Sequence, residues 1–194
     1  MDDCPQTTPL TPSAWLVCLG IGGWLASESP AGFDRNHRLV CVGTRNLSAL
    51  VLVVVQKYAV AARRGGSPLD LDIEQSVVGL WDRLAVEQAV ENLLSNALKF
   101  GAGKPVTVRL RSGEGSACLE VQDRGIGMLA DQQARIFGRF EQAVTQHRGS
   151  GYGVGLWVAN RLVRAMDGRI AVSSRVGEGS TFTITLPLSP SEPE

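Results

Sequence analysis

The sequence lacks most of the features that would assign a role from composition alone. It has two histidines, His37 and His147, which excludes a histidine-rich metal centre. Its four cysteines, Cys4, Cys18, Cys41 and Cys118, are widely scattered. No pair has metal-ligand spacing and no disulfide framework is implied, so a reducing compartment, the cytoplasm, is the default expectation. Lysine and arginine total 19, as do aspartate and glutamate. With no basic excess there is no electrostatic footprint for nucleic acid, and there is no acidic tail. The longest apolar run, residues 14–26, is shorter than the about 20 residues a bilayer span needs. Asp2 and Asp3 precede it where a secretory leader carries positive charge. Membrane association of this chain is therefore not expected, and the run reads as a packing segment or as sequence foreign to the domain.

What remains is ordinary for a soluble globular protein, 44% hydrophobic and 20% charged residues in a chain of 194, enough for one good-sized domain. Residues 1–45 form a poorly defined N-terminal segment, rich in proline and threonine at its start and expected to be disordered there. From Asn46 the pattern sharpens. Leu47, Leu50, Val51, Val54, Val55, Tyr58 and Ala62 make a helical stripe that Gly65-Gly66 ends. Residues 68–73 alternate as a half-buried strand and 77–81 form a second. Asp82 is placed to cap a helix running to about Phe100. Residues 105–111 and 117–122 are strands joined by a glycine-containing hairpin turn. A short helix follows within 131–140, then a helix over 154–166, strands over 169–174 and 181–186, and a flexible tail over 189–194. The sum is a mixed α/β layer, mostly antiparallel sheet with helices on one face.

The unusual stretch is Glu91-Asn92-Leu93-Leu94-Ser95-Asn96-Ala97-Leu98-Lys99-Phe100. At roughly 100° per residue, Val90, Leu93, Leu94, Ala97 and Leu98 gather on one side and Asn92, Asn96 and Lys99 on the other. Amide oxygens suit a hard, partly hydrated cation such as Mg²⁺, and a lysine ending the row suits phosphate oxygens. Three glycine segments follow. Asp123-Arg124-Gly125-Ile126-Gly127 puts a carboxylate at a strand end beside glycines, where it can accept from an exocyclic amine while the backbone approaches a flat ring. Gly149-Ser150-Gly151-Tyr152-Gly153-Val154-Gly155 runs into a helix and offers an anion site of free N–H groups. It has no P-loop ending and follows no strand, so neither a P-loop nor a dinucleotide turn is read there. Gly177-Glu178-Gly179-Ser180-Thr181-Phe182 alone would be a hairpin turn.

In this order, the motifs make residues 46–188 resemble the ATP-binding catalytic domain of sensor histidine kinases, in the superfamily that also holds DNA gyrase, Hsp90 and MutL. The resemblance implies a two-layer α/β sandwich of the Bergerat type, with ATP and Mg²⁺ as ligands. Asn96 would bind the metal, with Asn92 and Lys99 near the phosphates. Asp123 would read the adenine amino group in a pocket shaped by Gly125 and Gly127. Gly151, Gly153 and Gly155 would face the phosphates, and Thr181 would stand beside adenine. Arg135-Ile136-Phe137-Gly138-Arg139-Phe140 matches the family's phenylalanine box. Tyr152 departs from the small hydroxyl residue usual between the first two glycines of the second loop.

The superfamily's ATP hydrolases carry a glutamate one turn before the metal-binding asparagine. Here that position is Asn92, and an amide is no general base. Glu91 is adjacent but about 100° away round the helix. No residue is therefore read as a catalytic base, and the expected role is to hold Mg·ATP for γ-phosphoryl transfer to a histidine. His37 is followed by Arg38-Leu39-Val40-Cys41-Val42, without the acid or proline of the family's phosphoacceptor box, and His147 lies in a loop. The acceptor is therefore expected on a partner dimerisation module or on missing sequence, with a response regulator beyond it. An anti-sigma-factor-type serine kinase and a non-catalytic nucleotide-binding module are the alternatives.

Overall fold

The computed structural model describes residues 44–101, 103–140 and 153–189. Helix α1 (Leu47–Arg64) begins where the side chain of Asn46 accepts the Ala49 N–H at 2.9 Å. It ends at Gly65, whose N–H bonds back to Ala61. Helix α2 (Arg83–Phe100) is opened by Asp82, which accepts from Leu84 and Ala85 at 2.8 and 3.1 Å. Leu93, Leu94, Val90 and Ala97 form its buried stripe. Between the two helices come strands β2 (Leu69–Ile73) and β3 (Val78–Trp81). After α2 follow β4 (Val106–Gly113), β5 (Ser116–Asp123), the short helix α3 (Ala130–Arg135), α4 (Gly155–Ala165), β6 (Arg169–Arg175) and β7 (Gly179–Pro187).

Five strands form one sheet in the order β2-β4-β5-β7-β6. The β4–β5, β5–β7 and β6–β7 pairs are antiparallel and β2–β4 is parallel. Along β5, Ala117, Leu119, Val121 and Asp123 are buried and the residues between them are not. Along β7 the buried set is Ser180, Phe182, Ile184 and Leu186. This one-sided alternation is that of a sheet with helices on one face and water on the other. The core is the apolar layer between that face and α1, α2 and α4.

Two expectations about the strands change. Residues 69–73 form the expected strand, with Leu69 and Ile73 partly buried against the core, but Leu71 is 45% exposed, because β2 is the sheet's edge and meets only β4. Its charges suit an edge; Asp72 pairs with Arg111 across to β4. Strand β3 does not join the main sheet. It pairs with β1 (Thr44–Asn46), and this ribbon grips the end of β7. Leu80 N–H bonds to the Leu188 carbonyl at 3.1 Å, and the Trp81 indole N–H to that of Pro187 at 2.7 Å.

The ribbon is also tied to α1 through Ser48, which is buried. Its hydroxyl donates to the Glu74 carbonyl at 2.6 Å and accepts from the Val77 N–H at 3.0 Å. Ser48→Ala leaves both backbone groups without that partner. We expect a loss of about 1–3 kcal/mol in unfolding free energy by denaturant titration, with nucleotide affinity of the folded protein unchanged.

Candidate nucleotide site

The site lies where four segments meet at one end of the sheet. The loop after β5 is pressed onto the C-terminal end of α2. A Cβ built on Gly125 would stand 1.9 Å from the carbonyl oxygen of Phe100. The same loop touches the turn between β6 and β7: Gly177 N–H bonds to the Ile126 carbonyl at 2.7 Å. A Cβ on Gly127, whose φ is +65°, would lie 1.9 Å from the Arg175 carbonyl oxygen. One on Gly179, at φ +105°, would lie 2.1 Å from that of Asp123. These approaches admit only glycine. The fourth segment is the start of α4, where a Cβ on Gly155 would be 3.1 Å from the Asn92 Oδ1. A bare glycine thus lies against the polar face of α2.

Asp123 closes β5 with its side chain inward, 4% exposed. Burial pushes its carboxyl above the ordinary value of 3.8, although backbone N–H groups of Gly125 and Ser180 oppose this by favouring the charged form. The Gly125 bond to its Oδ1 is 2.8 Å long. A buried carboxylate with no cationic partner among the described residues, beside a glycine-rich loop, suits recognition of an uncharged donor such as an exocyclic amine.

Asn92 is half-buried on α2, and its Nδ2 is fully shielded with no hydrogen-bond partner among the described residues. A buried unpaired amide N–H is costly; here it belongs to a side chain whose oxygen faces the N-terminal end of α4, a place that attracts anions. Asn96 is half-buried one turn further along α2. Lys99 is exposed, its ammonium 5.0 Å over the ring of Phe100. Gly153 has φ +67°, the left-handed region, just before α4. Gly151, like Tyr152 and the two histidines, lies outside the described residues. Among the described residues no cluster of three acidic, histidine or cysteine side chains could hold a metal.

Glu91 is turned away from the polar row, its Oε1 3.3 Å from the Lys57 Nζ on α1, and Lys57 also pairs with Glu87. In the phenylalanine box, Phe137 packs edge-on to Phe182 with centroids 6.5 Å apart. Phe140 is 62% exposed, and Arg139 stacks over it and over Trp157 of α4 at 4.8 and 5.7 Å.

The strand register separates Thr181 from the pocket. Asp123 is directly opposite Ser180 across β5–β7, so Thr181 projects from the other face, with Gln122 and Ser173. Ser180, 7% exposed, is the hydroxyl that stands beside Asp123. The signal was present in the alternation Ser180, Phe182, Ile184, Leu186, which places Ser180 on the buried side once Phe182 is taken as core.

A two-layer sandwich with a carboxylate at one strand end, an amide row on the facing helix and glycines at each approach defines a nucleotide-binding domain. Residues 81–190 match the family described as histidine kinase-, DNA gyrase B-, and HSP90-like ATPase, and the chain belongs to that family. It is 43% identical over 109 residues to the aerobic respiration control sensor protein ArcB of Escherichia coli strain K12, covering 54% of this chain and 14% of that protein. It is 44% identical over 112 residues to the sensor histidine kinase AruS of Pseudomonas aeruginosa, covering 54% and 11%. The matched part is therefore homologous to the catalytic domain of sensor histidine kinases and spans about a seventh or less of these relatives. Among solved structures, the catalytic domain of the histidine kinase ThkA shares the fold, with a TM-score of 0.67 at 20% identity over 75% of this chain and 94% of that one. Full-length ShkA in complex with AMPPNP gives 0.66 at 25% identity over 77% and 32%.

Proposed function

We propose that this domain binds Mg·ATP and positions its γ-phosphoryl group for transfer to a histidine on a dimerisation module, from which a response regulator would be phosphorylated. The observation that carries the reading is Asn92, whose buried Nδ2 has no hydrogen-bond partner among the described residues and whose Oδ1 faces the bare Gly155 at the start of α4. A phosphate oxygen is an acceptor that suits both that amide and the free N–H groups of a helix N-terminus. Asp123 would take the adenine amino group, with Ser180 beside it. Asn96 would hold Mg²⁺, which when bound would neutralise charge developing on the phosphates. Lys99 would swing from Phe100 toward the same charge, and Gly151 and Gly153 would face it. ATP is also suggested by AMPPNP in the ShkA structure.

Transfer rather than hydrolysis is favoured by what precedes Asn96. One turn earlier stands an amide, Asn92, and the carboxylate next to it in sequence, Glu91, is engaged by Lys57. Neither is placed to take a proton from water. A cytoplasmic setting fits an ATP-dependent kinase; among the described residues no helix is long and apolar enough to cross a membrane.

The test is incubation with γ-labelled ATP and a panel of histidine-bearing dimerisation modules. Label arriving on a module histidine only when this chain is present is the expected result. Binding of ATP with no transfer to any module would favour a nucleotide-sensing role, and label on serine a different kinase specificity.

A further inference from the structure

The strand end that carries Asp123 continues as a polar row across the sheet. Asp123 is opposite Ser180, and Ser180 is opposite Ser174 on β6. All three lie on the helix-facing side, and the next row, Val121, Phe182 and Val172, is apolar. The row is wired in one direction. The Ser174 Oγ is 2.8 Å from the Gly179 carbonyl, which can only accept, so the hydroxyl proton of Ser174 goes there. The Met128 N–H occupies one lone pair of the same oxygen at 2.8 Å. The Ser180 Oγ stands 3.1 Å away. With the Ser174 proton committed, Ser180 must be the donor in that contact. Its own proton then points away from Asp123, and its lone pairs are left for the pocket.

Gln133 holds this arrangement from outside. Its side-chain amide pairs with the backbone of Ser174 as a strand would, accepting from the N–H at 3.2 Å and donating to the carbonyl at 2.9 Å. The same Nε2 donates to the Met128 carbonyl at 3.2 Å. The short helix α3 thereby fixes both the edge of β6 and the loop that walls the pocket.

We propose that Ser174 is a specificity-determining positioning residue: by committing the Ser180 hydroxyl as its donor, it keeps the base end of the nucleotide pocket acceptor-only. Such a pocket favours a purine bearing an exocyclic amine and opposes one bearing a carbonyl at the same place, since an acceptor would face acceptors. Removing the Ser174 hydroxyl frees Ser180 to rotate and donate, which accommodates the carbonyl. The proposal rests on the reading of Asp123 as the adenine contact.

The experiment measures dissociation constants of the whole chain for ATP and for ITP, which differ in amine against carbonyl at C6 and in a bare nitrogen against an N–H at N1, together with a melting temperature for each variant. Wild type is expected to prefer ATP. In Ser174→Ala the ATP-to-ITP preference should fall about five- to tenfold, the worth of one neutral hydrogen bond. Ser174→Thr, which keeps a hydroxyl, should restore it. If the alanine variant does not fold, Ser174→Cys, a weak donor and acceptor of similar size, is read in its place. A ratio unchanged from wild type in a variant that still binds ATP overturns the proposal and leaves the adenine contact standing. Wild type showing no preference between the two nucleotides overturns both.

Discussion

Asp123→Asn is expected to make the empty domain more heat-stable and at the same time to weaken ATP binding about 100-fold. Asparagine keeps an oxygen at the position where Gly125 donates at 2.8 Å, so the loop retains its anchor. What it removes is a buried negative charge. Because burial raises the folded pKa of Asp123 above its ordinary 3.8, the favourable contribution of the protonated form is complete below that ordinary value. It is lost as pH climbs through the raised folded value. At neutral pH the wild-type domain therefore carries a cost that asparagine lacks. The gap in melting temperature between the variant and wild type should widen as pH is raised from about 4 to about 7. Binding moves the other way. A hydrogen bond to a charged group contributes about 1.5–3 kcal/mol, and the new amide also turns a donor toward the adenine amine. Calorimetric titration with ATP checks the second half. Near-normal affinity would mean that adenine sits elsewhere.

Gly127→Ala should be, with Gly179→Ala, among the alanine substitutions at pocket glycines that most disturb folding. Two penalties coincide there. The residue sits at φ +65°, a conformation that costs an L-residue roughly 1–2 kcal/mol. The added carbon would stand 1.9 Å from the Arg175 carbonyl oxygen, a backbone atom that cannot rotate aside. The loop must part from the β6–β7 turn, which also strains the 2.7 Å bond from Gly177 to Ile126. We expect a destabilisation of about 3 kcal/mol or more and no measurable ATP binding. Gly113→Ala, where nothing lies within 4 Å, is the control and should cost little. Equal denaturation midpoints for the two variants would contradict the packing described for this loop.

Most local elements could be read from neighbours along the chain. The Asp82 cap, the stripe from Val90 to Ala97 and the alternation in β5 are each decided by residues a few positions apart. Pairing is decided by residues far away, and here reading fell short. Nothing near residues 69–73 states that they lie at an edge, parallel to β4, or that β3 leaves the sheet to clasp Pro187 and Leu188. The site divides along the same line. Asn92, Asp123 and the glycines announced themselves by type and spacing. Which of two adjacent hydroxyls, Ser180 or Thr181, faces Asp123 depends on register, since a strand sends successive side chains to opposite faces. The contacts of Gln133 and Ser174 are 41 residues apart and carry no local signature.

The clasp of the β1–β3 ribbon on the end of β7 separates attachment from recognition. Entry to the described domain at β1 and exit after Pro187 sit together, while Ser180 lies near the start of the same strand seven residues earlier, roughly 23 Å away at about 3.3 Å per residue. A fluorophore, surface anchor or fused protein joined within the described domain at Thr44 or Leu188 would therefore sit about a strand's length from Ser180.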